Sequence, residues 1–329
     1  MSRKTKEKKP GKGKWAVIYI LTFVVALIAG VLSKQISPSW AKDYSVKWTD
    51  EVGTAYKDLS YGDLPAKKYD IYVPADNTKE SYGLIVYLHP GGFTSGDKQY
   101  DHEMLEWLCS MGYVTAGINY TLRDDEHPET SVYSQSIEIK AAVPVVIEEA
   151  EKLGYHIDSL GMAGGSAGHC LAMLYAYRDA DTSPVPVKVC IGAVGPSSFY
   201  PEDWSCYGFD ARTEETDEAA AGLFGIMAGK KITPDMFGTP AYDEAMKDIS
   251  ALLWVDEHTV PTLLCYGAYD RVQSFEASKR LDAALTEYGV PHDYIVCEHS
   301  GHGLQNDSES SHRYSQLMVE YLDRYMPVR

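Results

Sequence analysis

Gly161-Met162-Ala163-Gly164-Gly165-Ser166-Ala167-Gly168 decides how this chain is read. It contains G-x-S-x-G with Ser166 at its centre. That spacing suits a serine on a very sharp strand-to-helix turn, where Gly164 and Gly168 let the backbone close tightly on both sides. An ordinary Gly-Ser loop would share the pentapeptide, so the flanks matter. Ile157-Asp158-Ser159-Leu160 leads into a short apolar stretch, as a buried strand would. Cys170-Leu171-Ala172-Met173-Leu174-Tyr175-Ala176 then reads as a buried helix. Strand, elbow, helix is the context the motif requires.

A serine hydroxyl is a weak nucleophile at neutral pH. It needs a general base in hydrogen-bond reach and a group that orients that base. In this architecture the acid and then the histidine follow the serine along the chain. Val260 to Gly267 reads as a buried strand that ends at Gly267-Ala268-Tyr269-Asp270, placing Asp270 just past its end. A helix over Ser274 to Tyr288 and a strand over Asp293 to Cys297 follow. Next comes Glu298-His299-Ser300-Gly301-His302-Gly303, with His302 between two glycines. Taken singly, Asp270 reads as a turn residue and His302 as a surface-loop histidine. Their order and position favour Asp270 and His302 as partners of Ser166, with Glu298 and His299 as neighbours. His299 is a rival base. The pair His299/His302 lacks further ligands at a fitting spacing for a metal.

Donors for a developing oxyanion are expected on the loop after Gly83-Leu84-Ile85-Val86-Tyr87-Leu88. That strand runs into His89-Pro90-Gly91-Gly92-Phe93. Glycines there let main-chain N–H groups approach a carbonyl oxygen without a Cβ in the way; a plain turn is the alternative. The N–H of Ala167, at the start of the elbow helix, points to the same task.

Those stretches, together with Tyr69-Asp70-Ile71-Tyr72-Val73-Pro74, Gly96-Asp97-Lys98 and Gly117-Ile118-Asn119-Tyr120, resemble the α/β-hydrolases of the bacterial esterase/lipase group. These are the proteins related to hormone-sensitive lipase and to feruloyl- and acetyl-esterase-like enzymes. The resemblance covers roughly residues 55 to 325. It implies an α/β-hydrolase fold: a mainly parallel central sheet, helices on both faces and a cap insertion. It also implies Ser166 as nucleophile, Asp270 and His302 as its partners, and the N–H groups of Gly91, Gly92 and Ala167 as the oxyanion hole. The implied substrate is a carboxylic ester, small or linked to a polysaccharide, with no cofactor and no metal. Two residues depart from the family. Pro90 replaces a glycine and has no N–H to donate. His169 replaces a glycine after the elbow, where its bulk is expected either to loosen the helix-to-strand contact or to line the pocket floor. An exopeptidase or amidase of the prolyl-peptidase type would use the same machinery, but no charged anchor for a peptide terminus is identifiable. A non-catalytic binding module would typically have lost one of the three side chains.

The rest of the chain sets the frame. With 329 residues and 45% apolar content it can bury one large α/β domain. Further strands are expected over Lys67 to Val73, Tyr113 to Tyr120 and Val187 to Val194. Helices are expected over Glu103 to Met111 and Val132 to Leu153. In the latter, Ile137, Ala141, Val145 and Ile147 supply the apolar face and Pro144 a kink. Strands alternating with helices indicate a parallel sheet covered on both sides. Residues 198–250 break the alternation and are rich in large side chains such as Phe199, Trp204, Tyr207, Phe209 and Phe224. They are read as a cap over the cleft, their aromatics either lining a pocket or forming the cap's own core.

The first 14 residues carry seven basic side chains and one acidic one. Trp15 to Leu32 is then free of charge for 18 residues, about 27 Å of helix. The expected organisation is a basic cytoplasmic tail (1–14), a transmembrane signal-anchor (15–33), a tether (34–54) and an extracytoplasmic catalytic domain (55–329). Ser39-Trp40-Ala41 offers a cleavage site if the segment is instead a signal peptide. Beyond the tail, 23 basic side chains face 46 acidic ones, a net of −23. That argues against nucleic acid as a partner. The six cysteines form no C-x-x-C pair, and buried free thiols are expected, with Cys206 in an irregular region.

Overall fold

The computed structural model describes residues 12–35 and 39–328; most of the predicted basic tail lies outside them. The chain divides into two compact units, Met1–Asp43 and Tyr44–Arg329.

The first unit holds helix α1 (Lys12–Gln35), whose described apolar side chains, among them Tyr19, Leu21 and Phe23, are exposed. Among the described residues no helix is long and apolar enough to cross a membrane. The transmembrane anchor expected over 15–33 is therefore not upheld.

The second unit is built on one sheet of eight strands: β1 (Gly53–Ser60), β2 (Lys68–Pro74), β3 (Tyr82–Leu88), β4 (Val114–Ile118), β5 (Ile157–Gly165), β6 (Val187–Ala193), β7 (Thr262–Gly267) and β8 (His292–Cys297). Their order is β1-β2-β4-β3-β5-β6-β7-β8. β2 runs antiparallel to β1 and β4, and all other pairs are parallel. Central strands are buried on both faces, which is why β3 and β7 read as unbroken apolar runs rather than as alternation. Leu84, Val86 and Leu88 of β3 face one core with helices α3 (Val132–Lys152) and α4 (Ala167–Arg178). Ile85 faces a second core with α2 (His102–Ser110) and α8 (Ser308–Tyr325). Helices thus cover both faces.

Helix α3 starts at a Ser131 capping box and carries Pro144 within it. Its buried stripe is Val132, Gln135, Ile139, Val143, Val146 and Ala150, whereas Ile137 and Ala141 are exposed. Of the expected face, Ile147 is buried and Val145 half-buried, while Ile137 and Ala141 point to solvent. Both sets recur at helical spacing, and tertiary packing selects between them.

The 198–250 segment forms short 3-10 turns, helix α5 (Glu214–Ala228) and helix α6 (Pro240–Met246). Phe199, Trp204, Phe209 and Phe224 pack edge-to-face and stacked at 5.5–5.7 Å between ring centroids, and all are buried. This is the segment's own core. The segment is tied to helix α7 (Phe275–Glu287) by Arg280, which holds Asp203 with two 2.7 Å bonds.

Candidate active site

Ser166 sits alone between β5 and α4 at φ 52°, ψ −120°. That left-handed backbone is costly for a residue with a Cβ and persists only when its surroundings impose it. They do. Ser166 N–H donates to the Ala193 carbonyl at 2.8 Å, and α4 begins at once. A Cβ on Gly168 would run into the Leu88 carbonyl, and one on Gly164 would meet the backbone of Gly168. The two glycines are required by close approach of main chain to main chain.

Asp270 lies past the end of β7 and His302 past the end of β8. Their loops are joined by main-chain bonds, Ala268 N to Cys297 O at 3.0 Å and Tyr269 N to Ser300 O at 2.9 Å. The three side chains meet. His302 Nε2 is 2.8 Å from Ser166 Oγ, and His302 Nδ1 is 2.8 Å from Asp270 Oδ2. The other carboxylate oxygen, Oδ1, accepts from Val272 N at 2.8 Å and Gln273 N at 3.1 Å. Three hydrogen bonds thus fix the orientation of the carboxylate, and its side chain is fully buried. An imidazole so placed presents a basic Nε2 to the hydroxyl, with Nδ1–H donating to the carboxylate.

His299 takes no part. It is exposed and turns to Asp307, with Nδ1 2.9 Å from Oδ1. Asp307 also accepts from Ser300 Oγ at 2.5 Å and so braces the loop that carries His302. Glu298 is exposed.

Gly91 (φ 135°) and Gly92 (φ 62°) follow β3. Their N–H groups have no acceptor among the described residues, and both line the cleft over Ser166. Ala167 and Gly92 line a second cavity that also opens on Ser166. Gly91, Gly92 and Ala167 thus border the space beside Ser166. Pro90 contributes its carbonyl, which accepts from His89 Nδ1 at 2.8 Å. His169 lines neither cavity. It is fully buried beneath the elbow, where Nδ1 accepts from Gly195 N at 3.1 Å. A Cβ at Gly192 or Gly195 would collide with its ring, so those glycines make room for it. Burial pushes its pKa down to about 3. The expectation that His169 loosens the elbow or floors the pocket is replaced by this packing.

A polar belt supports the Gly91–Gly92 loop. Lys98, 5% exposed, places Nζ 3.0 Å from Asp70 Oδ1 and 2.8 Å from Asp58 Oδ1. Burial alone would lower its pKa, but the bonds to Asp58 and Asp70 carry it upward. Lys98 N donates to Asn119 Oδ1 at 2.7 Å, and Asn119 Nδ2 to Asp97 Oδ2 at 2.8 Å. Asp70, Asp97, Lys98 and Asn119 were legible as motif residues. Asp58 was not, since it sits on an exposed edge strand.

Two cavities meet at Ser166. One, about 650 Å³, is open and is lined by His302, Gly91, Gly92 and Tyr100. The other, about 200 Å³, is the more closed of the two and is overhung by the cap residues Trp204, Tyr207, Leu223 and Met227. His302 lines the first and not the second. Among the described residues no cluster of His, Cys, Asp and Glu is arranged to hold a metal ion. All six cysteines are free, five of them buried, and Cys265 Sγ lies 3.7 Å from Cys297 Sγ.

Known proteins share this architecture. The sequence model of the BD-FAE family matches residues 69–285. Lipase 2 of Moraxella sp. (strain TA144) is 24% identical over 150 residues, 45% of this chain and 33% of that protein. The chain spans about a third of the length of the curated relatives it matches. Esterase B of Lactobacillus rhamnosis superposes with a TM-score of 0.62 at 16% identity, covering 92% of this chain and 95% of that one. A truncated carbohydrate esterase from gut microbiota superposes with a TM-score of 0.64 at 17% identity, covering 84% and 98%. With a family match over most of the catalytic unit and the strand order and elbow described above, the chain belongs to the BD-FAE family, within the esterase/lipase group of α/β-hydrolases.

Proposed function

We propose that this protein hydrolyses carboxylic esters through a covalent acyl-enzyme on Ser166. The observation that carries the reading is the His302 imidazole bridging Ser166 Oγ and Asp270 Oδ2 at 2.8 Å each. Ser166 Oγ attacks the carbonyl carbon while His302 Nε2 takes its proton, and Asp270 holds the imidazolium. The oxyanion lies against the N–H groups of Gly91, Gly92 and Ala167, an arrangement commonly worth ~3 kcal/mol or more. The tetrahedral adduct collapses, His302 returns the proton to the leaving alcohol, and water repeats the cycle on the acyl-enzyme.

The alcohol must leave beside the group that protonates it. It therefore occupies the open cavity, which His302 lines, and the acyl group occupies the closed one. About 200 Å³ is below the ~300–1,000 Å³ of pockets for drug-sized ligands, so the acyl group is short. The open side accepts a bulky alcohol such as a sugar, in keeping with the carbohydrate esterase of like fold.

A fluorophosphonate probe should add one label, mapped to Ser166, and nitrophenyl acetate and butyrate should be hydrolysed. No labelling of the folded protein, or turnover of aminoacyl-nitroanilides in preference to short esters, overturns the proposal. We further propose that the catalytic unit acts outside the cytoplasm. The support is the sequence alone: seven basic residues ahead of the uncharged run from Trp15 to Leu32. Protease accessibility in intact cells tests this, and N-terminal sequencing of the mature protein reads whether the run is kept or removed.

A further inference from the structure

We propose that the closed pocket selects a short aliphatic acyl group that carries a hydroxyl, and that Gln273 is the residue that reads it. This rests on the assignment of the closed cavity to the acyl group.

Most of that cavity is apolar, as an alkyl chain requires, with Phe93, Val132, Leu223 and Met227 among its walls. Thr130, Ser131 and Arg123, whose Nη1 donates to the Thr130 carbonyl at 2.8 Å, also line it, and two buried amides interrupt the apolar wall. Gln273 is 2% exposed, lines the cavity together with Ser166, and neither its Nε2 nor its Oε1 has a hydrogen-bond partner among the described residues. Gln135 is 1% exposed and lines the same cavity. Its Nε2 is spent on the carbonyls of Phe93 (2.9 Å) and Thr121 (2.8 Å), which leaves Oε1 unpartnered.

A buried amide with no partner is costly, and native proteins rarely tolerate one without a use for it. Gln273 is also not a residue that packing alone demands. It follows Asp270 by three positions, and its main-chain N–H, with that of Val272, holds Asp270 Oδ1. Any side chain would keep that main-chain bond, including an apolar one that would suit the neighbouring walls better. The free groups are the NH2 and the carbonyl oxygen of Gln273 and the carbonyl oxygen of Gln135. A hydroxyl can accept from that NH2 and donate to one of the two oxygens. A carboxylate does not, because it would face the Gln135 acceptor. A plain alkyl chain would leave all three groups unpaired in the complex. Sites built to bond a substrate hydroxyl discriminate strongly against analogues that lack it, for this reason.

The test uses the full chain and two matched pairs of methyl esters followed by pH-stat titration: butanoate against 3-hydroxybutanoate, and hexanoate against 6-hydroxyhexanoate. The two pairs place the hydroxyl at two depths. At least one hydroxylated ester should exceed its partner in kcat/KM by about 10-fold or more. Gln273→Met, close in size and without polar atoms, should bring that ratio to about one and raise kcat/KM for the plain ester. Ser166 should still take the fluorophosphonate label in the variant, which shows that the protein is folded and that a loss of the ratio is a loss of selectivity. If the wild type prefers the plain ester in both pairs, the inference is wrong, whatever the variant does. It is equally wrong if Gln273→Met keeps the preference, or if a hemisuccinate ester is favoured instead and Arg123→Met abolishes that preference. These failures leave ester hydrolysis in place. Absence of both turnover and labelling would refute the ester-hydrolase reading itself.

Discussion

Replacing Asp270 with asparagine should disable the protein by trapping His302 in the wrong tautomer, and the geometry says which way the amide must face. Asp270 Oδ1 accepts two main-chain N–H bonds, from Val272 at 2.8 Å and Gln273 at 3.1 Å, while Oδ2 faces His302 Nδ1 at 2.8 Å. An asparagine has one oxygen for these two sides. Putting its NH2 toward the two amides would lose two hydrogen bonds and set donor against donor, at ~1–3 kcal/mol for each buried group left unpaired. The oxygen therefore stays with the amides and the NH2 points at His302. Nδ1 must then accept, Nε2 keeps its proton, and Ser166 Oγ receives a hydrogen bond where it needs a base. The same exchange in a serine protease lowers kcat ~10⁴-fold, which is ~5.5 kcal/mol in the barrier. We expect a loss of that order in kcat on nitrophenyl acetate and a parallel loss in the rate of fluorophosphonate labelling. The melting temperature should stay within a few degrees of wild type, because a neutral amide replaces the carboxylate with its bonds intact. A folded Asp270→Asn protein that keeps more than a tenth of its activity would show that His302 does not depend on Asp270, and the catalytic assignment would fall.

Three further outcomes are expected. Lys98→Met leaves the Asp70 carboxylate, 2% exposed, without its cation, and should destabilise by about 3–5 kcal/mol in urea unfolding; a change below 1 kcal/mol would remove the belt from the account of the loop. His169 should make the fold acid-sensitive. Its pKa is about 3 when folded against about 6.5 when unfolded, so below pH 6.5 the unfolded chain binds the extra proton and stability falls with pH, by up to ~1.4 kcal/mol per unit. The stability gap between wild type and His169→Gln should narrow by about 2–3 kcal/mol between pH 6.5 and 4.5, and parallel curves would contradict this. Leu223→Ala deepens the closed pocket and should move the best acyl chain from butanoyl toward hexanoyl, each added methylene being worth ~0.8 kcal/mol; lengthening the alcohol instead should be without effect.

What the sequence shows of this protein follows from how local each signal is. Ser166 is legible because a sharp turn between a buried strand and a buried helix needs glycines at fixed offsets, and Gly164 and Gly168 supply them. Asp270 and His302 are legible because both stand just after apolar runs, so the sheet brings their loops to one end. The phase of α3 is not legible. Ile137-Ala141-Val145 and Ile139-Val143-Val146 both recur at helical spacing, and only the sheet beneath decides between them. Strand β1 is hidden because it is an edge strand with mostly exposed side chains, which leaves no apolar alternation to see. Gln273 is hidden for the opposite reason. A glutamine between Val272 and Ser274 reads as a surface residue, and its burial depends on a cap that arrives from some seventy residues earlier in the chain.

That cap also explains why acyl selection and catalysis should not vary independently. Tyr207, a wall of the closed pocket, donates to the Val272 carbonyl at 3.0 Å, and Ser274 Oγ donates to the Asp203 carbonyl at 2.5 Å. Val272 and Gln273 in turn hold Asp270 through their main-chain N–H groups. The turn that fixes the carboxylate is therefore clamped between the sheet on one side and the cap on the other. Arg280 repeats the clamp with its paired bonds to Asp203. A free flap would let the pocket change shape without cost to His302. This cap cannot move its Trp204–Tyr207 wall far without pulling on the segment that orients the base. On the proposed reading, the acyl group that fits the closed pocket is the one under which Asp270, His302 and Ser166 keep their 2.8 Å contacts. The open side, which shares only Gly92, Ser166 and Val272 with the closed pocket and neither Trp204 nor Tyr207, is free to accept alcohols of very different size.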